Sequence, residues 1–505
     1  MRRTIYPLGL AVAAALSGCS HSPLHEASHA LKAHDTHSIE FAGSGRWYQF
    51  GQAPNPSLPW PPYNVSSYTA GINYDNSSAH VQIVRKQIVE SGRNRPVPVE
   101  QKPDQYLLGS TAWNVAAPNN SPPGTPAVPT LQPAAVEERA AEIIATPQGF
   151  VKAARASKET RKLSEDGKQV SFTVGGKYRY EGSFNEQGQL EAVKTWIDSP
   201  VLGDTLVETR FSDYRDFGGV QFPGHIERNQ GGYPVLDLNV ASVTLNPPVD
   251  VAIPQELANA QPPTITVKSE KLAEGVYYLT GGTHHSVAIE QKDHVVLVEA
   301  PLNEERSVAL IAKIREIIPG KPIRYVVNSH AHFDHSGGLR TFVDAGVTIV
   351  TEQANKDYYE QIWANPHNLN PDRLEQSKKS PAFLAYTGKQ LLSDGKRTIE
   401  IHSIAGNSHN DAFDLVYLPA EKLVIEADAY TPAAPGAPAP TSINPYSVNL
   451  YDNIKRLGLN AERIVGLHGR AVPIAELRAA IGLPKEGELK AGKGKWKSRK
   501  AKSVG

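Results

Sequence analysis

The sequence predicts two unlike halves, a mainly antiparallel β region followed by an α/β domain. Three observations lead there. At 505 residues the chain is too long for one compact core, so two or three domains are expected. Residues 169–246 alternate in the strand period through KYRYEGSF, AVKTWI, LVETRFSDY and VLDLNVASV. The turns NEQGQ, DFGG and NQGG separate these runs, which is the pattern of an antiparallel sheet of about five strands. From residue 276 the character changes: the strand-like runs VYYLTG, HSVAIEQ and HVVLVEAP precede a helix, EERSVALIAKIREII, and the apolar strand IRYVVNS.

Taken from the N-terminus, residues 1–19 have the layout of a cleaved secretory signal. Arg2 and Arg3 are followed by an apolar run over 8–16 that is too short to span a bilayer. The closing Leu16-Ser17-Gly18-Cys19 resembles the lipobox of bacterial lipoproteins. That resemblance implies a lipid anchor on Cys19, the only cysteine of the chain, and Ser20 points to the periplasmic face of the outer membrane. Charge is balanced at 52 Lys+Arg against 52 Asp+Glu, so no general pull towards nucleic acid is expected.

Residues 20–133 read as a tether and an irregular region. His21, His25, His29, His34 and His37 lie on a solvated spacer, with the first three spaced to share a helical face. A stretch rich in Pro, Gly, Asn and Ser follows, ending in the linker-like PNNSPPGTPAVPTLQP. The helical composition of AAVEERAAEIIA opens a sheet domain over 134–250, read as a structural or docking module. Its pattern loosely resembles the curved half-barrel sheets of periplasmic lipoprotein-carrier-like domains. NPPVDVAIPQELANAQPP (246–263) is an interdomain linker, 264–482 the second domain, and 483–505 a basic, solvated tail.

The chemistry sits at the end of the strand IRYVVNS. There NSHAHFDHSGGLR (328–340) places three histidines and an aspartate within six positions, followed by two glycines. Side chains at a strand end and its following turn can converge. Imidazole and carboxylate suit a divalent ion such as zinc, and without cysteines an open, water-bearing site is the natural expectation. HAHFDH matches the H-x-H-x-D-H signature of the metallo-β-lactamase superfamily. The downstream stretches IEIHSIAGNSHNDAFDLVYLP, EKLVIEADAYTP and RIVGLHGR resemble that family's later motifs, in its order.

The resemblance implies an αββα sandwich with a metal cleft at one edge of its sheets. It implies that His330, His332 and His409 hold one cation, Asp334, His335 and His468 a second, and Asp428 lies between them. Two zinc ions per chain would then acidify a bridging water, with Asp334 orienting it for catalysis. Two departures stand out. Asn410 and Asp411 follow His409, and Glu299 stands at a strand end where the family usually carries an aspartate that supports the histidine loop. His284 and His285 are expected near a neighbouring strand end, with His285 and Tyr430 as candidate substrate contacts. The stretch 431–446, leaving directly from Asp428, is expected to border the cleft.

These features imply hydrolysis of an ester, lactone, lactam or related bond in a small-molecule substrate. The alternatives are a single-iron dioxygenase acting on a sulfur substrate such as a persulfide, with His330, His332 and Asp428 as ligands, and a non-catalytic envelope lipoprotein. Since every proposed ligand lies beyond residue 262, the second half is expected to fold and hold metal alone.

Overall fold

The computed structural model describes residues 23–118, 124–262, 264–436 and 442–484. The signal segment with Cys19 and nearly all of the basic tail lie outside the described residues.

The first half is one large antiparallel sheet of fourteen strands drawn from residues 38 to 245. Its centre is Ser38–Tyr48, paired with Pro62–Asn73 on one side and Tyr233–Leu245 on the other. This corrects the expectation of an irregular region over 20–133. Half of the sheet comes from there, including strands of 11, 12 and 10 residues at Ser38–Tyr48, Pro62–Asn73 and Ser78–Gln87. The prolines that suggested irregularity fall mainly in the loops between strands. Gly43 and Gly45 are needed within a strand: a Cβ at either would meet the Asn239 or Asp237 carbonyl oxygen at 2.2 or 2.0 Å.

The tether is also more ordered than its composition implies. Pro23–Ala30 is a helix whose Ala27, with Leu31 just beyond it, is fully buried against the sheet's core. The helix Pro147–Ala156, capped by the Thr146 side chain, presses Phe150 and Val151 into the same core. Full burial of a side chain such as Phe150 stabilises by about 1.5–3 kcal/mol. Gly182 makes this possible, because a Cβ there would lie 2.1 Å from the Phe150 ring.

The second half is a four-layer αββα arrangement. A seven-stranded sheet runs from Lys268–Ala273 to Ala382–Tyr386, antiparallel through its first four strands and parallel from Val295–Val298 onwards. A six-stranded sheet follows from Lys389–Ser393 to Ala471–Pro473. Val287, Val298 and Val327 of the first meet Ile401, Leu415 and Ile425 of the second in a shared core. Helix Glu304–Ile317 covers the outer face of the first sheet through Leu310 and Ile314. Helices Pro445–Arg456 and Ile474–Ala480 add Leu450, Ile454 and Leu477 to the core from the other side. The strand Val295–Val298 is apolar throughout because it is buried on both faces.

The halves interlock. Phe50 and Trp60, in the loop after the central strand of the large sheet, pack edge-on against Phe333 at 5.2 and 5.6 Å between ring centroids. The Phe333 amide donates to the Gly51 carbonyl at 3.1 Å.

Candidate metal centre

The parallel strand Ile323–Val327 ends at the edge of its sheet, and Asn328–His332 turn over it into the short helix Phe333–Ser336. The two glycines that follow are present for close approach. Their φ values of −62° and −97° are open to any residue. A Cβ on Gly337 would lie 1.9 Å from the Leu302 carbonyl oxygen, and one on Gly338 would lie 2.2 Å from Ser307 Oγ. The histidine loop is thus clamped on the turn after Val298.

That turn carries Glu299, fully buried and held at a φ of +74°. Its carboxylate accepts from Asn328 Nδ2 at 3.2 Å and from the Ser329 hydroxyl, and takes the His335 Nδ1–H at 3.2 Å. Glutamate therefore does reach the back of the histidine loop. Asn328 Oδ1 in turn accepts from the Tyr359 hydroxyl at 2.7 Å, so the loop is braced from two sides.

The motif residues gather into two adjoining groups. His330, His332, His409 and Asp428 form one, with donor atoms all within 4.8 Å of one another. His330 Nε2, His332 Nδ1 and His409 Nε2 are buried and, apart from the Asp428 carboxylate beside His330 and His409, meet no polar partner. Unpartnered buried nitrogens cost free energy unless something else occupies their lone pairs. The tautomer of His332 is consistent with this, since its Nε2–H donates to the Ala53 carbonyl at 3.0 Å and leaves Nδ1 as the free donor atom. Asp334, His335 and His468 form the second group together with His284. His335 Nε2 and His468 Nε2 stand 3.0 Å apart. Two nitrogens at 2.0–2.1 Å from one tetrahedral cation would be separated by roughly 3.4 Å, so the donor set fits such an ion. Asp428 faces both groups: Oδ2 lies 2.9 Å from His409 Nε2, and Oδ1 lies 2.8 Å from His468 Nε2.

The electrostatics follow from this crowding. Burial pushes His330 down to about 4, helped by the neighbouring His335, which favours the neutral imidazole that a cation needs. Burial acts to raise the Asp428 carboxyl, yet His335 and His409 hold it well below the usual carboxylate range. His335 moves the opposite way: burial opposes its charge, but Asp428 and Asp334 raise it well above the ordinary histidine range. A cation entering the second group would compete with a proton for the His335 nitrogen.

The large sheet reaches into the centre, which the sequence did not disclose. Gln52 Nε2 donates to Asp334 Oδ1 at 2.7 Å, and the Ala53 carbonyl accepts from both His332 and Asn410. Asp411 turns away from the metal groups and pairs with Arg93 at 3.0 Å. Tyr446 brings the end of the 431–446 stretch back to the site, its ring 5.5 Å from that of His409 and its hydroxyl 3.2 Å from Arg95. Residues 437–441 of that stretch lie outside the described residues.

Two expected substrate contacts do not face the cleft. His285 is buried, and its Nε2 donates to the Gly469 carbonyl at 3.0 Å, locking a strand end to a loop. Tyr430 is buried in the core between the sheets. It is His284, the neighbour of His285, that points into the second group, with Nε2 3.0 Å from Asp334 Oδ2. The signal for it was its place in the short loop between the strands Val276–Thr280 and Ser286–Glu290.

Residues 279–424 match the family model of the Metallo-beta-lactamase superfamily, so the chain carries a domain of that superfamily. The matched span contains His330, His332, Asp334, His335 and His409, and ends just before Asp428. No curated protein matches the chain. Solved structures that align include a metallo-beta-lactamase from Pontibacter korlensis, at 18% identity over 43% of this chain and 98% of its own, with a TM-score of 0.32. The mono-zinc form of the metallo-beta-lactamase FIM-1 from Pseudomonas aeruginosa aligns at 17% identity over 44% of this chain and 97% of its own, TM-score 0.34. A metallo-beta-lactamase from Hirschia baltica aligns at 18% identity over 44% and 99%, TM-score 0.33.

Proposed function

We propose that the protein is a metal-dependent hydrolase that holds two zinc ions between its histidine groups and cleaves an ester, lactone, lactam or related bond in a small molecule. One observation carries this: three buried ring nitrogens with no polar neighbour but Asp428 converge beside it, and its second oxygen faces another set of His and Asp donors. His330, His332 and His409 would hold the first cation, Asp334, His335 and His468 the second, and Asp428 both. When bound, such a pair supplies a water acidified to about neutral pH and a Lewis-acid contact for the developing negative charge.

The chain's own groups divide the remaining work. Asp334 has one oxygen on Gln52 and the other beside His284. Burial acts to raise its carboxyl, but His335 and His284 hold it well below the usual range. At neutral pH it is an acceptor that orients a neighbouring O–H and a poor base for removing the proton. Glu299 fixes the His335 ring so that Nε2 faces the site. Phe333, with Phe50 and Trp60 over it, seals the back of the histidine loop.

The test is metal analysis of the purified protein followed by a panel of chromogenic esters, lactones and β-lactams. Wild-type protein should hold close to two zinc ions, and His468→Ala should drop this towards one and slow turnover by at least ~10-fold. One tightly bound iron, oxygen uptake with a persulfide and indifference to His468→Ala would make the protein a dioxygenase instead. We place the protein on the periplasmic face of the outer membrane, anchored through Cys19 and without a nucleic-acid partner, on the lipobox-like junction and the balanced charge. Among the described residues no helix is long and apolar enough to cross a membrane.

A further inference from the structure

The second metal group contains one more donor than the family resemblance implies, and that donor is presented as a ligand would be. His284 Nε2, Asp334, His335 and His468 place four donor atoms within 4.8 Å of one another. The His284 ring stands 4.2 Å from that of His468 and 5.3 Å from that of His335, centroid to centroid. Its outer nitrogen, Nδ1, lies 2.8 Å from Thr283 Oγ1, the kind of partner that fixes the tautomer of a metal-bound imidazole. Nε2, on the inner side of the ring, lies 3.0 Å from Asp334 Oδ2, so the imidazole and the carboxylate address the same space.

The segment is held where it is needed. Arg306, itself buried, donates to the carbonyls of Thr266, Thr280 and His284. The His285 amide donates to the Leu467 carbonyl at 2.9 Å, and the Thr283 carbonyl lies 3.3 Å from His468 Nδ1. Residues 280–285, the loop joining the strands Val276–Thr280 and Ser286–Glu290, therefore carry His284 and contact His468.

We propose that His284 is a protein ligand of the second cation, which makes the two positions unequal. With Asp428 counted in both, the second position has five protein donors and the first has four. The chain itself would then supply more of the second cation's donors than of the first's. This rests on the two-cation hydrolase proposed above.

The experiment is a titration of metal-free full-length protein with cobalt(II), followed by its visible absorption and by competition with a chelator of known affinity. It compares wild type, His284→Ala and His284→Gln, with thermal unfolding of the metal-free proteins as the control for folding. Both variants should still take up two cobalt ions at high metal. Their second-site affinity should fall about 10–100-fold while the first site is unchanged. Only the second-site absorption band should change, because one nitrogen donor is lost. Full rescue of affinity by His284→Gln would make His284 a hydrogen-bond donor that positions Asp334 and would overturn the ligand assignment. An unchanged affinity in His284→Ala would also overturn it while leaving the two-cation centre standing. A wild-type protein that binds a single cobalt ion would overturn both. If His284→Ala fails to fold, His284→Gln with an unaltered second-site band and affinity is sufficient to refute the assignment.

Discussion

Replacing Gln52 by leucine probes the unexpected reach of the large sheet into the metal centre. Gln52 lies 282 residues before Asp334 and donates to its Oδ1 at 2.7 Å. A hydrogen bond to a charged group is worth about 1.5–3 kcal/mol net. Gln52 is half-buried, so the lower end applies, and about 1.4 kcal/mol corresponds to a factor of ten in affinity. The other Asp334 oxygen keeps its contact with His284, so the carboxylate should loosen without leaving the site. Leucine nearly preserves the volume, and the backbone bond from the Gln52 amide to the Gln49 carbonyl does not depend on the side chain. In a competition titration with a chromogenic chelator, the second-site dissociation constant should rise about tenfold, with the first site unaffected. An unchanged second-site constant would show that Gln52 is a bystander at the surface of the centre.

Three further outcomes are expected. A fragment beginning at residue 264 lacks Gln52, the Ala53 acceptor of His332, and the Phe50 and Trp60 cover over Phe333. It should bind zinc more weakly than the full chain or fail to unfold cooperatively, and full-strength binding of two ions by that fragment would refute this. Asp414 is pushed up to about 8, chiefly by burial, against about 3.9 in an unfolded chain. The folded state therefore keeps a proton that the unfolded state has released, and the associated stability falls as pH rises from about 4 to 8. Thermal unfolding of metal-free Asp414→Asn at pH 5 and pH 8 should show a smaller loss than wild type, and parallel losses would refute the assignment. Finally, Cys19→Ser should move the protein from the membrane fraction to the soluble envelope fraction, and retention in the membrane pellet would exclude a lipid anchor.

The metal centre was largely legible because its chemistry is written in side-chain types at strand ends. His330, His332, Asp334, His335, His409, Asp428 and His468 each end or follow an apolar run, and the structure brings all seven together. What failed has physical causes. His284 and His285 are adjacent, and adjacent residues at a strand end face different ways, so one residue of register separates a cleft histidine from a structural one. The first half of the large sheet was hidden because Pro and Gly in its loops dominate the composition, while long strands such as Ser78–Gln87 are only partly buried and alternate weakly. The Ala53 brace could not have been found at all: it is a backbone carbonyl, and every residue type supplies one.

That brace has a consequence for when the centre comes into being. Its acceptor lies 279 residues before His332, and the last donor, His468, follows more than a hundred residues later still. Pairings across such distances form only after long loops have closed, and a chain made from its N-terminus must have passed residue 468 before that donor exists. A partly synthesised molecule therefore offers the local cluster His330–His335 without the downstream donors that complete either group. On the proposed two-cation reading, capture would wait for the assembled form, and cations that favour that form alone would stabilise it.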